Sequence, residues 1–158
     1  MRVRTDRVER FAFDRDELWT RIAQVPQFPA WWPWLRDFDG VRLSTGEVWH
    51  CAVRPPARYT VRFTVTIVQT DPGATVSAQI DGDIVGTASV QLAADGTGST
   101  VRLVTNLAPA SWRLRVLAFV AWPVARRGHD RVIAIGVRQF RERSGRSRAA
   151  QSGTPVQH

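Results

Sequence analysis

The sequence predicts an α+β domain: a curved antiparallel sheet of about seven strands closed by one long C-terminal helix, with two short helices after the first strand. Three observations predict it. From Phe38 to Leu107 apolar and polar residues alternate with period two, and Gly- and Asp-containing turns recur at short intervals. Such turns join neighbouring strands, whereas parallel crossovers need a dozen or more residues. After Pro109 the apolar period lengthens to that of a helix. Between the first strand and the alternating region lies Phe28-Pro29-Ala30-Trp31-Trp32-Pro33-Trp34-Leu35, an aromatic segment stiffened by prolines that exclude a long helix or a central strand. So large an apolar load needs a core or a cavity wall to pack against.

In chain order, Val3 to Phe13 reads as a strand ending in the alternation Phe11-Ala12-Phe13. Asp14 fits an N-cap with Glu17 placed to answer it, and Leu18, Trp19, Ile22 and Ala23 give the apolar stripe of a short helix that Pro26 terminates. Phe28 to Trp32 forms one more helical turn before Pro33. Phe38 to Leu43 and Glu47 to Arg54 read as strands joined through Ser44-Thr45-Gly46. Pro55-Pro56 makes a stiff corner. Tyr59, Val61, Phe63, Val65 and Ile67 then alternate with polar residues, one apolar face and one wet. Asp71-Pro72-Gly73 turns the chain into Val76, Ala78 and Ile80. Asp81-Gly82-Asp83 turns it into Ile84, Gly86, Ala88, Val90 and Leu92. Asp95-Gly96-Thr97-Gly98 turns it into Val101, Leu103, Thr105 and Leu107. The small residues at Gly86 and Ala88 imply a bend in the sheet or room on its inner face. Ser111 caps a helix through Trp112, Leu114, Leu117, Ala118 and Ala121, kinked or split at Pro123 and continuing through Ala125, Gly128, Val132, Ile135 and Phe140. Arg138, Arg141 and Arg143 near its end complement the helix dipole. Residues 1–143 form one domain, and 144–158 read as a disordered tail.

The bulk numbers agree with one domain: 158 residues, 44% apolar and 23% charged. No apolar run reaches membrane-span length and no signal-peptide core follows the N-terminus, so a cytoplasmic location is expected. The net charge of +8 is carried entirely by arginine, spread along the chain. That supports non-specific attraction at most, and no specific nucleic-acid partner is expected. The single Cys51 excludes an internal disulfide and reads as a small buried hydrophobe. Three scattered histidines make no metal-ligand spacing, and neither a phosphate loop nor a serine-nucleophile elbow is present. No metal and no cofactor are expected.

The element order, with Glu17-Leu18-Trp19, the Phe28–Trp34 cluster, the Gly46 hairpin, Gly82-Asp83-Ile84-Val85-Gly86 and Gly128-His129 to Phe140, resembles the helix-grip fold of the START/Bet v 1-like (SRPBCC) superfamily, polyketide cyclase/dehydrase-type branch. The resemblance covers Val3 to Arg143. It implies a cavity between sheet and helix, lined by Trp32, Trp49, Tyr59, Val61, Phe63, Ala78, Gly86, Ala88 and Leu103, with Ala121, Ala125 and Val132 from the helix. Tyr59 and His129 are the weak catalytic candidates, as the polar groups able to orient a guest. The tryptophans either stack a planar guest or plug the end of the core. His50 alternates with Trp49 and Cys51 and points outward if they point inward. Asp81 and Asp83 belong to turn chemistry. The inner faces offer almost no titratable side chains, which favours a non-catalytic carrier or sensor for a lipid-like or polyketide-like molecule. An aromatase/cyclase or dehydrase, and a regulatory interaction protein with a vestigial cavity, remain the alternatives.

Overall fold

A computed structural model describes residues 2–32, 35–54, 60–111, 138 and 141–142. Strand β1 (Val3–Phe11) opens the chain and stops two residues before the predicted end. Helix α1 (Arg15–Ile22) follows, capped as its sequence requires: the Glu17 N–H donates to Asp14 Oδ1 at 2.8 Å. Pro26 sits inside a 3-10 turn, Val25–Gln27, and α2 (Phe28–Trp31) adds the predicted single turn. The sheet then builds through β2 (Leu35–Arg36), β3 (Val48–Val53), β4 (Val61–Asp71), β5 (Thr75–Gly82), β6 (Ile84–Asp95) and β7 (Gly98–Pro109).

The seven strands form one curled antiparallel sheet in the order β1-β7-β6-β5-β4-β3-β2. The meander from β2 to β7 is sequential, and β1 closes onto β7 with Phe11 opposite Ser99 and Val3 opposite Leu107. Two features help bend it. A bulge between Ile67 and Gln69 shifts the β4–β5 register. At Gly86 the backbone has φ +150°, and a Cβ there would lie 1.9 Å from the Asn106 carbonyl oxygen. Gly86 therefore serves the close approach of β7.

One prediction fails. Phe38 to Leu43 is not a strand; the strand before the Gly46 turn is the two-residue β2, which pairs only with Ala52 and Val53. Asp37 adopts φ +45°, and Asp39 Oδ1 accepts the His50 N–H at 2.6 Å. A side chain thus takes the donor that a partner strand's carbonyl would have taken.

The core lies against one face of the sheet in two clusters. One joins Val25, Leu35, Trp49, Cys51, Ile67, Val76 and Ala78; the other joins Phe11, Phe13, Leu18, Trp31 and Leu92. Trp19, Phe28 and Trp32 pack against both and weld them together. Beyond β7, the predicted long C-terminal helix and the predicted tail from 144 lie outside the described residues, apart from helical positions Arg138, Arg141 and Glu142. The Arg141 guanidinium donates to the Arg10 carbonyl at 2.7 Å, stands 3.5 Å from Glu9 and lies 5.2 Å from the Phe11 ring centroid. It therefore docks on β1, a contact that the dipole argument did not foresee. Arg138 pairs with Glu142 one turn on at 3.6 Å.

Candidate functional site: the concave face of the sheet

Directly opposed residues in a sheet point to the same side, so the register identifies the inner face rung by rung. One rung runs Trp49, Val65, Ile80, Gly86, Leu107, Val3. The next runs Ile67, Ala78, Ala88, Thr105, Thr5. A third contains Val76, Val90, Leu103 and Arg7. Cys51 and Phe63 stand opposite one another, as do Val53 and Val61. Of the predicted lining, Trp49, Val61, Phe63, Ala78, Gly86, Ala88 and Leu103 thus share this face. Tyr59, Ala121, Ala125, His129 and Val132 lie outside the described residues, as does Trp34.

At the β3–β4 side the face meets a cluster of rings centred on Phe28. Its ring lies 4.9 Å from Trp32, 5.8 Å from Trp31, 5.8 Å from Phe38 and 6.0 Å from Trp49, centroid to centroid. Several of these pairs meet edge to face, the geometry that sets a positive ring edge against a negative ring face. Trp31 and Trp49 are buried, one in each core cluster, and Trp32 is half-buried between the clusters. The Trp49 indole also donates to the Arg42 carbonyl at 3.1 Å, satisfying its polar end. Phe28 belongs to the aromatic segment that the sequence reads as an end wall; Phe38 is the member of this wall that sequence reasoning missed.

It also missed the character of β1. Phe11 is buried on the inner face, so the same parity places Glu9, Arg7 and Thr5 there too. Arg7 and Glu9 form an ion pair at 3.6 Å with side chains 32% and 26% exposed. The expectation of an inner face almost without titratable groups is therefore corrected at this edge. Strand alternation from Phe11 held the signal.

The convex side is ionic. Asp6 accepts from Arg102 through two hydrogen bonds of 2.8 and 2.6 Å, which hold its carboxyl below the usual range. His50 points outward, as its parity implies, and its Nδ1 lies 2.7 Å from Asp39. Asp83 bonds the backbone of Arg62 at its N–H, 2.8 Å, and its carbonyl, 2.9 Å, confirming a structural turn role. Burial pushes the Cys51 thiol up to about 12, which makes it an unreactive hydrophobe. Among the described residues no cluster of side chains could hold a metal ion, and no helix is long and apolar enough to cross a membrane.

No protein-family model matches the sequence, and no curated protein does. Solved structures do. The Zhui aromatase/cyclase from Streptomyces sp. R1128 superposes with a TM-score of 0.78 at 12% identity, covering 98% of this chain and 100% of that one. Protein Ms6760 from Mycobacterium smegmatis gives 0.69 at 15% identity, covering 91% and 92%. Ara h 8.0201 gives 0.58 at 13% identity, covering 89% and 99%. At these identities the likeness is one of fold.

Proposed function

We propose, from the premise that the chain has the START/Bet v 1-like helix-grip fold, that it binds a hydrophobic small molecule against the concave face of its sheet, as a carrier or sensor. The observation that carries this reading is the continuity of that face. Trp49, Phe63, Ile67, Ala78, Ala88 and Leu103 follow one another across five strands, with the Phe28 ring cluster at one side. Ligand pockets of small molecules are mostly apolar, with a few convergent polar groups. Most of the polar groups here, Thr5, Arg7, Glu9, Ser99 and Thr105, lie on β1 and β7, with Thr70 of β4 the exception opposite Val76. A guest with one polar end and an extended apolar body, lipid-like or polyketide-like, matches that distribution. The same reading places the protein in the cytoplasm, its one cysteine a buried thiol.

A second reading, an aromatase/cyclase or dehydrase acting on a polyketide-like chain, is favoured by two observations. The fold superposes over the full length of an aromatase/cyclase, and an Arg–Glu pair stands on the inner face of β1. Proton transfer to or from a bound chain needs a titratable group within reach. Arg7 and Glu9, with Tyr59 and His129 predicted from sequence, are the residues to substitute.

Native mass spectrometry of the purified protein, under gentle and denaturing conditions, tests the binding reading. A lipid-sized adduct that leaves on denaturation is expected. Its absence, together with no shift in melting temperature on adding fatty acids or aromatic polyketides, leaves only the regulatory alternative with a vestigial cavity.

A further inference from the structure

Among the described residues three polar side chains are buried: Thr5, Ser99 and Thr105. All three lie on the inner face of β1 and β7. Ser99 has an evident structural task, because its hydroxyl donates to the Phe13 carbonyl at 2.7 Å and ties β7 to the entry of α1. Thr105 has none. Its Oγ1 is shielded from solvent and has no hydrogen-bond partner. Thr5 faces it directly on one side and Ala88 on the other, both small enough to leave the hydroxyl uncrowded. Valine has the same shape as threonine and would fill this place without an unmatched polar group, so the hydroxyl is a standing cost to the free fold.

We propose that Thr105, with Thr5 beside it, is the polar anchor of the guest, donating a hydrogen bond to one carbonyl oxygen of an otherwise apolar ligand. This rests on the binding reading above and narrows it to hydrophobic ketones and their like, as against plain hydrocarbons. Arg7, next along β1 on the same face, is already engaged by Glu9, so a neutral carbonyl suits the place. Because the hydroxyl is closed off, a guest reaches it only by displacing the packing above it. That displacement is about the same for two guests of nearly one shape, so their difference in affinity reports the hydrogen bond net of the carbonyl's desolvation.

Fluorene and 9-fluorenone are such a pair, and both can be titrated through the tryptophan fluorescence of the full chain. The wild-type protein is expected to bind 9-fluorenone several-fold to about tenfold more tightly than fluorene, the range of one net hydrogen bond. Thr105→Val should bring that ratio to about one, Thr105→Ala should do the same by a second route, and Thr105→Ser should keep the preference. Binding of both probes with an unchanged ratio in Thr105→Val and Thr105→Ala overturns the anchor and leaves the binding reading standing. Failure of both probes to bind the wild-type protein overturns both.

Discussion

The two sides of the concave face are held by different physics. At β3 and β4 the wall is a stack of rings, Phe28, Phe38, Trp32 and Trp49, whose polar ends are few and, at Trp49, satisfied by the Arg42 carbonyl. At β1 and β7 it carries Thr5, Arg7, Glu9 and Thr105, of which Thr105 keeps an unmatched hydroxyl. On the ring side packing supplies most of the interactions, and removing a ring leaves a hole, although Thr70 at the far end of β4 also keeps an unmatched hydroxyl. The β1–β7 side is incomplete, its shortfall one hydrogen bond at Thr105. On the binding reading proposed above, the ring side would shape a guest and the β1–β7 side would orient it.

The sharpest way to break this contrast is at the ring side. Trp49 is buried and touches both Phe28 and Phe38. Trp49→Ala should lower stability by about 3–5 kcal/mol, the usual range for deleting a buried aromatic side chain. A lower urea midpoint at constant m-value would show it; a loss below about 1 kcal/mol would mean that the rings are ornament and not wall. Next in size is Gly86→Ala, on the rung between Ile80 and Leu107. Its methyl would meet the Asn106 carbonyl oxygen at 1.9 Å at φ +150°. Backbone movement is required, and a loss of about 2 kcal/mol is expected from the same urea titration.

Thr105→Val inverts the sign. Where Trp49→Ala opens a hole, this change removes an unmatched hydroxyl while keeping its volume. The ligand-free protein should gain about 1 kcal/mol, read as a higher urea midpoint. A loss of similar size would show the hydroxyl already satisfied in solution, and the contrast between the two sides would weaken.

Much of this was legible from alternation. The faces of β4 to β7 followed from period two, because each strand carries its apolar set on one parity and the turns between them are short. The cap of α1 followed from Asp14 and Glu17. Three things did not follow. Phe38 to Leu43 alternates like a strand, yet Asp39 replaces a strand partner by accepting the His50 N–H, a contact set by residues eleven apart. Phe28 became the hub of the ring cluster only because the fold brings Phe38 and Trp49 to it. On β1 the charges of Arg7 and Glu9 masked a parity that Phe11 had already fixed. Tertiary partners decided the first two cases, and spacing along the chain does not encode them, whereas the third was there to be read from the alternation.

The smallest expected effect lies on the outer side of β3, where Asp39 fastens the loop that carries Phe38. Its carboxylate accepts both the backbone N–H and the ring of His50, and these bonds hold its pKa below the ordinary 3.8. A carboxylate with a depressed folded pKa contributes stability that is present above its unfolded pKa and is lost as pH falls through the folded one. Between pH 7 and pH 5 this contribution is therefore constant, and it declines below about pH 4. Asp39→Asn removes the titration but can still accept the backbone N–H through its amide oxygen. The wild-type protein should thus be the more stable of the two at pH 6, and the gap should narrow as the pH is taken from 5 towards 2. Because Phe38 stacks on Phe28 and packs edge-on to Trp49, tryptophan fluorescence should report the loosening of this loop before global unfolding. A gap that stays constant across that range would show that the loop is held by its rings alone.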